Sequence, residues 1–320
     1  MRIPVLVTVT VSGLVLTGVP ATAAGPVVVP AAARPLGVVE QVEPAMVRVS
    51  GCVGVNSPIV ARLRIDQPTA SARGVVLLFS GGGGSTFWAD HSQVAAQAVT
   101  DMRAAGFRVV QVAWQTPWLA SAAGERSGPH ALACRPATLI NWAHGRFYTP
   151  LGLDPPVGVC GFCVSGNSGG ASQISYTLSF YGQESILDAV IPTGGPPHAS
   201  LDKGCLRRPG EERYYYTTGN AQTIDSSYGF AVEPGPCALH NSAFTSRWMA
   251  DSVQTGDLDY PATRVHIIGN GTGIAEVHGF DYFTVITSTR KTNEVIPGLP
   301  HGVMNHPDGT AAILRALQQT

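Results

Sequence analysis

Short apolar runs recur along the chain, separated by polar and glycine-rich breaks. Those at 46–50, 59–65, 74–80, 108–114, 157–164, 187–193, 264–269 and 292–296 read as strands. Longer stretches with apolar positions every three or four residues read as helices, at 92–105, 135–144, 171–181, 279–288 and 308–318. The first two strands have no helix between them and predict a hairpin through Asn56-Ser57-Pro58. Beyond them strands and helices alternate, and several strands are apolar at nearly every position. A strand of that kind must be covered on both faces. The pattern therefore predicts an α/β fold, a mostly parallel central sheet with helices on both faces. No period of 20–50 residues repeats, which argues against a solenoid.

One stretch breaks the rhythm. Residues 195–261 hold Gly195-Pro196-Pro197, Cys205, Cys237 and the run Tyr214-Tyr215-Tyr216, without clean periodicity. They read as an insertion between the sixth and seventh core strands, either an ordered surface excursion or a cap over a substrate.

Composition narrows the class. Of 320 residues 44% are hydrophobic and only 13% charged, about half the usual ~25% for charged residues. That excludes a disordered chain and supports a large core. A net charge of -1 gives no electrostatic footprint for nucleic acid. The one long apolar run lies at the start, where Arg2, an apolar stretch and Ala21-Thr22-Ala23 read as a secretory signal over 1–23. Residues 24–45 read as a poorly ordered leader, and Ala24 in place of Cys argues against a lipid anchor. The expectation is a secreted protein with no integral membrane association after signal cleavage.

An exported chain with Cys52, Cys134, Cys160, Cys163, Cys205 and Cys237 is expected to carry disulfides. Cys205 and Cys237 are expected to close the insertion. Cys160 and Cys163 fall three apart on the expected strand 157–164, so their side chains should point to opposite faces and not pair.

The chemistry-bearing motif is Gly166-Asn167-Ser168-Gly169-Gly170, between an expected strand and an expected helix. A serine on such a turn has its hydroxyl exposed, and the helix N-terminus behind it offers N–H groups to a developing oxyanion. The loop Ser80-Gly81-Gly82-Gly83-Gly84-Ser85 lacks the Gly-Lys-Ser/Thr ending of a phosphate loop. Its better use is to bring the N–H of Gly82 or Gly83 beside that of Gly169. No zinc-type spacing occurs, and no metal or organic cofactor is implied.

This order of strand, glycine loop, strand, serine turn, strand, insertion, strand and late histidine resembles the α/β-hydrolase superfamily of serine esterases and lipases. The resemblance covers roughly residues 46–320. It implies Ser168 as nucleophile, with the acid and then the histidine following in the chain. The glycine loop is similar to the H-G-G-G loop of esterases, with Ser80 in place of His. His301, in Pro297-Gly298-Leu299-Pro300-His301-Gly302, is the best-placed base, and His306 the alternative. The family acid falls in a pattern similar to G-x-x-D, yet here Gly269-Asn270-Gly271-Thr272 puts Thr272 at that place. Glu276 in the same loop, or Asp202 after the strand 187–193, could serve instead; Asp281 and the pair Asp257/Asp259 are less well placed. Asn270-Gly271-Thr272 is also a glycosylation sequon, read as a turn. His266 reads as a core residue, while His198 and His240 of the insertion could touch substrate. Trp88, Trp114 and Trp118 either line a pocket or pack the core.

The implied function is a secreted serine hydrolase acting on a small-molecule or polymeric carboxylic ester. The alternatives are an amidase or peptidase using the same site, or a non-catalytic binding protein on a hydrolase scaffold.

Overall fold

A computed structural model describes residues 33–153, 160–230 and 233–319. The expected signal segment 1–23 lies outside the described residues. The strands are β1 (Val38–Glu43), β2 (Met46–Ser50), β3 (Ile59–Asp66), β4 (Gly74–Phe79) and β5 (Phe107–Trp114). They continue with β6 (Phe162–Asn167), β7 (Ala189–Thr193), β8 (Arg264–Gly269) and β9 (Lys291–Val295). The helices are α1 (Gln93–Ala104), α2 (Pro129–Leu132), α3 (Cys134–Ala143), α4 (Gly169–Tyr181) and α5 (Leu201–Leu206). After them come α6 (Thr218–Ser227), α7 (Thr245–Ala250), α8 (Ile274–Val285) and α9 (Pro307–Gln318).

The strands form one sheet in the order β1-β2-β3-β5-β4-β6-β7-β8-β9. β1 to β3 run antiparallel to their neighbours, and every pairing from β5 across to β9 is parallel. The reason lies in side-chain alternation. Val75, Leu77 and Phe79 of β4 face one apolar cluster with Ile174 of α4 and Leu139 of α3. Val76 and Leu78 face the other, with Met102 of α1 and Ile313 of α9. Strands β4, β6, β7 and β8 are buried at every position, as a doubly covered sheet requires.

Four features differ from the sequence expectation. β1 lies inside the stretch expected to be a poorly ordered leader (24–45), pairing with β2 at the sheet edge. Cys160 and Cys163 form a disulfide, alongside Cys52–Cys134 and the expected Cys205–Cys237. The opposite-face argument fails because β6 starts at Phe162, so Cys160 lies ahead of the strand and is free of its alternation. α8 starts at Ile274, five residues before the expected start at 279. The insertion holds helices α5, α6 and α7 around its own small apolar cluster, which includes Leu201, Tyr216, Ile224 and Trp248.

Candidate active site

β6 ends at Asn167, α4 begins at Gly169, and Ser168 between them has φ +53°. A non-glycine residue held in so sparsely populated a conformation carries a strain of about 1–3 kcal/mol. The flanking glycines are set by close approach. A Cβ at Gly166 would sit 2.3 Å from the Gly170 carbonyl oxygen, and one at Gly169 would sit 2.2 Å from that of Gly82. The Ser168 N–H donates to the Thr193 carbonyl at the end of β7 (2.8 Å), which fixes the turn against the sheet.

The loop after β9 delivers His301 to this serine. Its Nε2 lies 2.9 Å from Ser168 Oγ, and its Nδ1 lies 3.1 Å from Glu276 Oε1. With the proton on Nδ1, the ring donates to the carboxylate and accepts from the serine hydroxyl. Glu276 is 2% exposed, in the first turn of α8, where the helix dipole favours a carboxylate. Its Oε2 is buried without a partner among the described residues.

Thr272, at the family's acid position, is exposed and does structural work. Asn270 Oδ1 accepts from the Thr272 N–H (2.9 Å), the Thr272 hydroxyl (3.3 Å) and the Gly273 N–H (3.3 Å). Asn270 Nδ2 donates to the Leu299 carbonyl at 2.9 Å. One side chain thus makes the turn and ties the Glu276 loop to the His301 loop. Asn167 makes a second tie, its Oδ1 accepting from the Thr193 hydroxyl (3.1 Å) and the Val303 N–H (3.1 Å). Neither asparagine was among the expected site residues. Asn167 closes β6 and Asn270 directly follows β8, so each falls at the carboxyl end of a strand.

The remaining candidates lie elsewhere. Asp202 pairs with Arg208 at 3.1 Å, and Asp281 with Lys203 at 2.6 Å. His306 caps α9, His266 contacts Thr292 within the sheet, and His240 contacts the Cys205 carbonyl. Trp88, Trp114 and Trp118 are fully buried and do not line the cavity at Ser168.

That cavity encloses about 350 Å³. Ser168, Gly169, Gly82 and His301 line it, together with residues of the insertion that include His198, Tyr216 and Ile224. Gly82 has φ +59° and open space where a Cβ would project, whereas Gly83 packs on Pro117 and does not line the cavity. The N–H of Gly169 opens α4 and has no acceptor within the helix. Ser80 is buried and donates to the Thr86 carbonyl at 2.6 Å, bracing the glycine loop. Burial, followed by its neighbour His278, pushes His198 down to about 3. Burial likewise pushes His278 down to about 4. No cluster of metal-ligating side chains occurs among the described residues.

The strand order, with the antiparallel strands at one edge, a serine turn after β6, an acid after β8 and a histidine after β9, decides the architecture. The chain has the α/β-hydrolase fold. No family model matches it, and no curated protein does. Among solved structures it is similar to a probable hydrolytic enzyme from Pseudomonas aeruginosa at 14% identity and TM-score 0.47, covering 88% of this chain and 96% of that one. It is also similar to a hyperthermophilic esterase from the archaeon Pyrobaculum calidifontis at 16% identity and TM-score 0.49, covering 89% and 84%. A soluble variant of monoglyceride lipase from Saccharomyces cerevisiae follows at 12% identity and TM-score 0.48, covering 89% and 94%. Identities and scores this low say nothing of the reaction, so the chemistry rests on the geometry of the site.

Proposed function

We propose that this α/β-hydrolase-fold chain is a secreted serine hydrolase that cleaves carboxylic esters. The observation that carries the reading is the relay Ser168–His301–Glu276, two hydrogen bonds of 2.9 and 3.1 Å ending on a buried carboxylate. Ser168 Oγ attacks the acyl carbon while His301 Nε2 takes its proton, and Glu276 stabilises the imidazolium. The carbonyl oxygen becomes an oxyanion facing the N–H groups of Gly169 and Gly82, each worth about 10²–10³ in turnover at such sites. His301 then returns the proton to the leaving alcohol oxygen as the C–O bond breaks. Water, deprotonated by His301, attacks the acyl-serine and frees the acid. The insertion acts as a cap, since it forms one wall of the cavity. Three disulfides suit an oxidising compartment, and no helix among the described residues is long and apolar enough to cross a membrane.

Thr272 at the acid position would be a motive for reading the chain as a non-catalytic binder. With Glu276 against His301, that motive falls away. The test is labelling with a fluorophosphonate followed by peptide mass spectrometry. An adduct on Ser168, absent in Ser168→Ala and strongly slowed in His301→Ala, is the expected outcome. A folded protein that takes no label would overturn the reading.

A further inference from the structure

The side chains that the insertion contributes to the Ser168 cavity have chemistry that ester cleavage itself does not use. Among the described residues no Lys or Arg lines the cavity, and the one carboxylate that does, Glu276, is engaged by His301. An anionic substrate group would meet no counter-charge there. The volume of about 350 Å³ is near the lower end of the ~300–1,000 Å³ range of small-molecule sites, which favours small ester substrates.

Among the insertion's side chains His198 stands apart. It is 6% exposed, with its ring packed against Trp118 and Tyr176 at centroid distances of 6.1 and 6.3 Å. Its backbone is held at both ends: the N–H donates to Ser172 Oγ (3.3 Å) and the carbonyl accepts from the Val253 N–H (3.1 Å). Burial keeps the ring neutral, with a single N–H. Nδ1 is sealed in the core without a partner among the described residues, which leaves Nε2 as the nitrogen that meets the cavity. A buried N–H with no acceptor is harder to tolerate than a bare lone pair. The proton therefore sits on Nε2, as a donor facing the substrate space. Asn220 of α6 adds an exposed amide to the same cavity lining.

We infer that the cavity selects short, uncharged esters bearing an additional hydrogen-bond-accepting oxygen, such as alkoxy- or oxo-substituted acyl groups, and that His198 Nε2–H recognises that oxygen. This rests on the proposed role of Ser168. The gain expected from one neutral hydrogen bond is about tenfold.

The test compares kcat/KM for p-nitrophenyl methoxyacetate and p-nitrophenyl butyrate, which differ by an oxygen in place of a methylene. In His198→Phe the methoxyacetate-to-butyrate ratio should fall about tenfold from the wild-type value, and His198→Gln should restore part of it. The intrinsic reactivities of the two esters cancel in that comparison. An unchanged ratio in a folded His198→Phe overturns the inference. Should that variant not fold, the wild type decides with two further esters, the p-nitrophenyl succinate half-ester and the decanoate. Methoxyacetate must exceed both in kcat/KM, and either one equalling it overturns the inference. Turnover with flat selectivity removes only this inference, whereas no turnover and no Ser168 adduct removes the proposed function itself.

Discussion

Replacing Glu276 by Gln keeps the size of the side chain and removes its charge. The carboxylate is buried and lies 3.1 Å from His301 Nδ1. Two unit charges at that separation, in an effective dielectric of about 20, attract by about 5 kcal/mol. The His301 side chain is 51% exposed, so solvent screens part of this. What remains for stabilising the imidazolium formed with the transition state is about 3–4 kcal/mol. At about 1.4 kcal/mol per decade, kcat should fall between roughly 10² and 10³-fold. The assay is steady-state hydrolysis of p-nitrophenyl butyrate, with thermal unfolding alongside to show that the variant folds. Asp202→Asn is the matched control, because Asp202 is paired with Arg208 outside the cavity, and should stay within about threefold of wild type. A folded Glu276→Gln that retained kcat within fivefold would refute the assignment of the acid. So would a larger loss in Asp202→Asn.

Two further outcomes are expected. His198 and His278 are held neutral by burial at about 3 and about 4, below the ~6.5 of an unfolded chain. As pH falls below 6.5 the unfolded chain binds protons that the folded one refuses, so stability drops. Each histidine should cost about 2 kcal/mol between pH 7.5 and pH 5, measurable by urea unfolding, and His278→Gln should remove about half of the pair's contribution to that slope. Asn270→Ala cuts the tie between the Glu276 and His301 loops, and should slow both hydrolysis and fluorophosphonate labelling about 10–100-fold; rates equal to wild type would show that the loops hold their positions without it.

The sheet was legible because its buried strands are apolar almost throughout, and a run as short as Val75 to Phe79 between polar and glycine-rich breaks fits a doubly covered strand. The serine turn was legible because close backbone approach requires glycine at Gly166 and Gly169. The acid was legible only as the first of several alternatives, and α8 shows why. Its buried face consists of Ala275, Glu276, His278, Gly279 and Tyr282, while Val277, Phe280 and Phe283 are only half-buried. The hydrophobic pattern that marks a helix is inverted where the helix carries polar groups inward. The start at Ile274 was therefore hidden, and Glu276 read as one acid of a loop among several. The insertion stayed unreadable for another reason: α5 and α7 are six residues each, too short to display a period. β1 was concealed by its place at the sheet edge, where no position is fully buried.

The insertion packs on a cluster of its own, braced by Cys205–Cys237, and reaches the cavity mainly through His198 and the face of α6. Ser168, Glu276 and His301, the groups proposed to react, sit on the turn before α4, the first turn of α8 and the loop after β9. Diversifying the α6 face would thus retune substrate preference while leaving the reacting groups on their own supports. On the proposed function, selection, natural or in the laboratory, can revise what the site accepts without reopening how it reacts.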